Sequence, residues 1–263
     1  MKLSVIYNKY IPNYKNSLDI VIKSIKSKGI EHKVFELESL EKYGDLALVI
    51  GGDGTILRAA RFYSRFDIPS IGINIGRLGF LAQAGLEDIE KVLTLITKGE
   101  YITEERLMLA SDEYTALNDF VIKGCVPTRT SKFFLEINEK FICDYIADGL
   151  IISTPTGSTA YCLSAGGPIL HPELDAIVIV PICPHTLNVR PLVVPSGELI
   201  TVKTNDELLS VSIDGYNITQ CAEKTTIKIS PQKAKLAFLE NGNFYSVLRN
   251  KLHWGVSPES KHI

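Results

Sequence analysis

The apolar pattern of this 263-residue chain changes period near residue 100. Before that point, short apolar runs alternate with stretches of helical spacing. "KLSVIY" (2–7), "HKVFEL" (32–37), "LALVI" (46–50) and "SIGIN" (70–74) read as strands. Residues 16–27 set Leu18, Val21, Ile22 and Ile25 on one helical face, and residues 54–64 read as a second helix. A third spans 86–99, with Leu86, Ile89, Val92, Leu93 and Ile96 on one side and Gly99 at its C-cap. Such alternation implies a mostly parallel sheet covered by helices, of the Rossmann or flavodoxin kind. Continuous apolar runs suit strands buried on both faces.

Beyond residue 100 only strand-like runs recur: "YTALNDFVIK", "FFLEINEKFICDY", "DGLIIST", "DAIVIV", "ELITVKT", "LLSVSID", "TTIKIS" and "KLAFLE". Two alternating runs meet at Asn138-Glu139, which predicts a hairpin. This half is expected to form a β-sandwich or a pair of packed sheets. One helix is expected around 157–165. The helix-like tail "FYSVLRNKLHWG" is expected to return to the first domain. The predicted organisation is an α/β domain over 1–100, a β-rich domain over 101–238 and a C-terminal segment over 239–263.

Several function classes are disfavoured by bulk properties. Net charge is −2 and no long Lys/Arg run occurs, which argues against a nucleic-acid or anionic-membrane binder. No segment approaches the roughly 18 consecutive apolar residues that span a bilayer. "MKLSVIYN" enters a strand-like run without the apolar stretch of a signal peptide, so a cytoplasmic protein is expected. The five cysteines are scattered without a C-x-x-C pair, which fits reduced thiols better than a disulfide framework or a zinc cluster.

Three stretches carry chemistry. "GGDGT" (51–55) follows a strand and opens a helix, so its amides lie at the positive end of a helix dipole. It lacks the Lys of a Walker loop and the spacing of a G-x-G-x-x-G turn. Asp53 inside such a loop repels phosphate, and is tolerable when it faces a hydroxyl or a metal ion. Either role fits phosphoryl transfer to an alcohol. "NIGRLGFLAQ" (74–83) sets Gly76, Gly79 and Phe80 in a loop after the fourth strand, where α/β sheets bind ligands. "ADGLIISTPTGSTAYCLSAGG" (147–167) puts Asp148 before a strand and a hydroxyl-dense turn, Thr154, Thr156, Ser158 and Thr159 with Tyr161, before a helix. One hydroxyl serves as an N-cap; four suggest a surface that bonds a polar ligand. The Ser is not in a G-x-S-x-G elbow.

With "LND", "PICPHTLNVRPLVVP", "SIDG" and "KLHWG", these stretches resemble the NAD kinase family nearly end to end. "GGDGT" alone is shared with diacylglycerol-type lipid kinases and resembles the loop of phosphofructokinases; "STPTGSTAY" with "PHTLNVRPL" is far more specific. The resemblance implies phosphoryl transfer from ATP or polyphosphate to the 2′-hydroxyl of the adenosine ribose of NAD, giving NADP. It also implies a divalent cation, Mg²⁺ by preference, and a homodimer or homotetramer. By position, Asp53 matches the family's proton acceptor, with Gly54 and Arg58 beside it. Asn118 and Asp119 match a pair that holds ribose hydroxyls. Asp148 and the run Thr159, Ala160, Tyr161, Cys162, Leu163 and Ser164 match dinucleotide-binding positions, and Arg129 a basic contact. Three positions depart from the family's usual pattern: Asp119 where Glu is frequent, Ile146 where a basic residue is frequent, and Tyr216 where Gln is frequent. The competing possibilities are a lipid or sugar kinase sharing the glycine loop, and a dinucleotide sensor without catalysis.

Overall fold

The computed structural model describes residues 1–76, 79–125, 130–185, 188–204, 208–239 and 244–255, with only the backbone of Gln83 and residues 217–222. The chain divides into two compact units, residues 1–104 with 235–263, and residues 105–234.

The first unit begins with β1 (Lys2–Tyr7), α1 (Tyr14–Ser27), β2 (Glu31–Glu36), β3 (Leu46–Ile50), α2 (Asp53–Tyr63) and β4 (Ser70–Asn74). β5 (Ala82–Gly85), α3 (Ile89–Lys98) and β6 (Ile102–Arg106) follow. Strands β1 to β5 pair in parallel. β3 and β4 are buried along their whole length, as their unbroken apolar runs require. α1 and α3 contribute Val21, Ile25, Val92, Leu93 and Ile96 to one cluster with Leu3, Val5, Leu48 and Ile73 of the sheet. Burying such side chains stabilises by roughly 1.5–3 kcal/mol each. Gly99 ends α3 in the left-handed conformation, as a C-cap glycine does. The stretch expected as loop closes in β5, a short strand beside β4.

The second unit holds β7 (Leu109–Ser111), β8 (Tyr114–Ala116), β9 (Asp119–Gly124), β10 (Ser131–Ile137), β11 (Lys140–Ala147) and β12 (Gly149–Ser153). A 3-10 turn at Thr156–Thr159 and the single-turn helix α4 (Tyr161–Ser164) come next. They stand where one continuous helix was expected, because Ala160 is not helical (φ −99°, ψ −130°). Then come β13 (Ala176–Ile182), β14 (Leu192–Pro195), β15 (Ile200–Thr204), β16 (Leu209–Ile213), β17 (Tyr216–Ala222) and β18 (Lys224–Ile229). Among the described residues these strands form two six-stranded antiparallel sheets, ordered β11-β10-β15-β18-β7-β8 and β14-β13-β12-β9-β16-β17. Phe133, Leu135, Val202 and Ile227 of the first share one core with Phe120, Ile122, Leu150 and Ile179 of the second. That is the sandwich its alternating strands imply. The β10–β11 hairpin turns at Asn138 and Glu139, both with positive φ (50° and 65°), which suits a two-residue hairpin.

The chain then returns to the first unit with β19 (Ala234–Phe238) and α5 (Phe244–Leu252). β19 pairs parallel with β4, so the first sheet reads β2-β1-β3-β4-β19-β6.

Candidate active site

In the first unit, the apolar run of β3 ends at Gly51, and α2 starts at Asp53 with Gly52 as its N-cap. Asp53 therefore stands in the first helical turn, where a negative charge is favoured by the helix dipole. Its carboxylate also has a specific backbone partner. Phe80 donates its amide to Oδ2 at 2.7 Å, and Leu81 donates to Oδ1 at 3.1 Å. The glycine loop and the 74–83 loop, read separately in the sequence, are thus clasped through this one side chain. Gly79 permits the clasp, since a Cβ there would lie 1.7 Å from the Asp53 Oδ1 atom. Lys251 of α5 places its ammonium 5.5 Å from the centre of the Phe80 ring. Gly54 is exposed beside Asp53. Arg58, one turn along α2, forms a bidentate pair with Glu38, both bonds at 2.9 Å, and holds that carboxyl below the usual range.

In the second unit a cavity of about 380 Å³ opens on the polar face of β9 and β16. Strand alternation builds it. Asp119, Val121 and Lys123 point to one side of β9, and Ser210 and Ser212 to the matching side of β16, while Phe120, Ile122, Val211 and Ile213 enter the core. Asn118, Asp214 and Gly215 close one end, and Ala160 and Tyr161 complete the lining. Asp214 accepts amides from Leu117 (3.1 Å), Asn118 (2.8 Å) and Asp119 (3.2 Å), which fixes the Asn118-Asp119 pair. Asp119 is buried, and burial followed by the nearby charge of Asp214 pushes its carboxyl up to about 7. The lining is rich in donors and acceptors: two carboxyls, an amide, two serine hydroxyls and a tyrosine that is 41% exposed.

The hydroxyl-dense turn differs from expectation. Thr154 donates to Leu117 O at 2.6 Å and receives the Gly157 amide at 3.0 Å; Ser158 donates to Pro155 O at 2.7 Å and receives the Leu170 amide at 3.0 Å. Both are buried and serve the turn rather than a surface. Thr156 keeps a buried hydroxyl oxygen with no hydrogen-bond partner, and Thr159 bonds Thr156 O at 3.4 Å. The turn sits against a residue of the pocket's lining: a Cβ on Gly157 would lie 2.3 Å from Asn118 O.

Of the other predicted positions, Cys162 is fully buried in an apolar cluster with Val121, Ile151 and Val178, and burial first of all pushes its thiol up to about 11. A neutral buried thiol fills space rather than binding a ligand. Leu163 is half-buried, and Ser164 and Asp148 are exposed. None of these four lines the described cavity, whereas Asn118, Asp119, Ala160 and Tyr161 do. Arg129 lies outside the described residues. Ile146 and Tyr216 are both largely exposed, at 42% and 46%. Sequence reading missed Lys123, Ser210, Ser212 and Asp214. The alternation of "SVSID" was the available signal, because period two puts its polar members on one face.

Residues 13–101 match the ATP-NAD kinase N-terminal domain and residues 117–240 the ATP-NAD kinase C-terminal domain. An NAD kinase of Pseudomonas putida (strain GB-1) is 41% identical over 251 residues, covering 90% of this chain and 84% of its own. One from Pseudomonas savastanoi pv. phaseolicola is 45% identical over 225 residues, covering 80% and 76%. Among solved structures, yeast NADH kinase complexed with NADH superposes with a TM-score of 0.81 at 22% identity, over 98% of this chain and 89% of that one, a likeness of fold. An NAD kinase from Archaeoglobus fulgidus in complex with ATP gives 0.79 at 26% identity, over 96% and 99%. With both domains matched in order and such relatives aligned over most of their length, the chain belongs to the NAD kinase family.

Proposed function

We propose that this protein transfers the γ-phosphoryl group of ATP to the 2′-hydroxyl of the adenosine ribose of NAD, giving NADP and ADP. The observation that carries the proposal is the Asn118-Asp119 pair, fixed by Asp214 in a cavity that two serine hydroxyls and a tyrosine also line. A lipid acceptor would leave the buried Asp119 carboxyl without a partner, at a cost of about 1–3 kcal/mol.

The chemistry assigned to Asp53 follows from its bonding. A carboxylate has about four acceptor sites, and the two amides occupy one on each oxygen. It keeps the capacity to take the proton of the ribose hydroxyl while that oxygen bonds to the γ-phosphorus and the bond to the β-phosphate oxygen breaks. The amides hold the carboxylate in place, so little reorientation is left for the reaction step. The glycine loop and the start of α2 supply amides and a positive dipole for phosphate oxygens. Gly54 and Arg58 flank that loop, Phe80 packs beside it, and Asp148, Thr156, Thr159, Ala160, Tyr161, Leu163 and Ser164 are assigned to the dinucleotide by their family positions, Cys162 being left to the core.

A divalent cation, Mg²⁺ by preference, neutralises the triphosphate when bound. Among the described residues no group of three or more His, Cys, Asp and Glu gathers as a metal cage. Asp53, the carboxylate in the glycine loop, would be the residue to hold such a cation against the triphosphate. Polyphosphate is an alternative donor for the same loop. Cytoplasmic placement is supported by the scatter of the five cysteines without a C-x-x-C pair, which fits reduced thiols. A homo-oligomer is supported by the apolar, proline-rich segment 181–195. Incubation with ATP, Mg²⁺ and NAD, read by an NADP-specific dehydrogenase, should show NADP formation that depends on all three. Its absence, with lipid or sugar phosphorylated instead, overturns the proposal.

A further inference from the structure

Asp214 takes no part in the phosphoryl transfer just described, yet its carboxylate accepts three backbone amides beside the pocket. Its Oδ2 takes the amide of Leu117, and its Oδ1 takes those of Asn118 and Asp119. Its own amide returns a bond to Asp119 O at 3.0 Å. Three successive amides turned on one anion form a concave backbone nest. The segment that carries the ribose-facing pair is therefore bent around Asp214. A neutral side chain such as Asn can hold a turn. A carboxylate does something more here, because it adds a negative charge beside a second carboxylate that is buried in the same cavity.

We propose that Asp214 is a positioning residue for the phosphoryl acceptor: it fixes the Asn118-Asp119 pair through the backbone, and its charge governs how readily Asp119 serves as an ionised acceptor of ribose hydroxyls. This rests on the assignment of the cavity to NAD. Burial is the larger influence on Asp119 and the charge of Asp214 the second, together setting its carboxyl at about 7. The other groups around it are few. Cys162, from α4, is held neutral by burial; β12 sets Ser153 opposite Asp119; β16 offers Ser212; Tyr161 and Lys123 line the same cavity. An ionised Asp119 accepts hydroxyl hydrogens on both oxygens, whereas the protonated form surrenders one site. NAD affinity should thus rise as pH increases through about 7. Removing the charge at 214 eases ionisation of Asp119, so that rise should move to lower pH.

The test is calorimetric titration of NAD alone into the full chain, wild type and Asp214→Asn, across about pH 5.5 to 9, with steady-state kinetics at saturating Mg²⁺–ATP. The expected wild-type curve has a midpoint near 7. In Asp214→Asn the midpoint should fall by about half a pH unit or more, and KM for NAD should rise about tenfold with kcat within about threefold, a loss of binding rather than of chemistry. A purely structural role weakens binding alike at every pH, so an unmoved midpoint in Asp214→Asn overturns the proposal whatever happens to KM. If that variant does not fold, Asp119→Asn replaces it: its NAD affinity should be flat across neutral pH, and a persisting rise overturns the proposal. A wild type that binds NAD without pH dependence defeats this inference alone. A wild type that binds no NAD at any pH defeats the functional assignment with it.

Discussion

Asp53 answers two demands with one carboxylate, and its substitution should separate them. As base it is needed for turnover, so Asp53→Asn should lower kcat by about 10²–10⁴ and change NAD affinity only a few-fold. As clasp it accepts the Phe80 and Leu81 amides, and the Asn side chain can accept on its oxygen only, so the same variant should lose about 1–3 kcal/mol of stability. Retention of a tenth of wild-type turnover would reduce Asp53 to a loop residue; a loss confined to Mg²⁺–ATP binding would make it a cation ligand. Asp119 has a different signature. Burial, and after it the charge of Asp214, push the Asp119 carboxyl up to about 7, so between about pH 4 and 7 the folded state keeps a proton that the unfolded chain has released. Stability from this group is complete at low pH and is lost as pH rises through 7, at roughly 1.4 kcal/mol for each pH unit crossed between the two titrations. Asp119→Asn should therefore gain on the wild type in urea unfolding at pH 8 and not at pH 4; an equal difference at both contradicts this. Asp53 stood out in the sequence because an acid interrupts a glycine turn, and Asn118 and Asp119 through the "LND" motif of the resembled family. Asp214 was legible only as a polar position of the alternating "SVSID" run; its role was not, since its amide partners lie 95 to 97 residues away along the chain.

At the scale of elements, periodicity told the truth about faces and less about what the faces meet. The period-two pattern of β16 correctly separates Ser210 and Ser212 from Val211 and Ile213, but only the fold turns that polar face into a cavity wall rather than a solvated surface. The α/β alternation, the hairpin at Asn138-Glu139, the packed β-sheets and the returning C-terminal segment were all legible. Thr154 and Ser158 were misread as part of a ligand-bonding surface because hydroxyl side chains bond their own backbone as readily as a ligand. Thr154 and Ser158 spend their bonds inside the turn, and Gly157 lets it sit against Asn118. Gly157→Ala would drive a methyl into Asn118 O; it should cost about 1–3 kcal/mol in thermal or urea unfolding and raise KM for NAD while leaving kcat nearly intact. Unchanged melting and KM would show that the turn does not support the pocket.

At the scale of the whole molecule, the segment 181–195 leads into β14, an edge strand of its sheet with Val193 45% exposed. Apolar surface of this kind is an association site or an aggregation hazard. Light scattering should return a multiple of the 29.1 kDa chain mass, and a value of one chain at micromolar concentration would exclude the homo-oligomer. The family's fold accounts for the two units and their order, while the acceptor atom is a matter of the site. Transfer from γ-labelled ATP to NAD, set beside the NAD analogue that lacks the adenosine 2′-hydroxyl, interrogates that atom. Label should appear on NAD and not on the 2′-deoxy analogue, which should still compete for binding. Label on both, or on neither, would contradict phosphorylation of the adenosine 2′-hydroxyl.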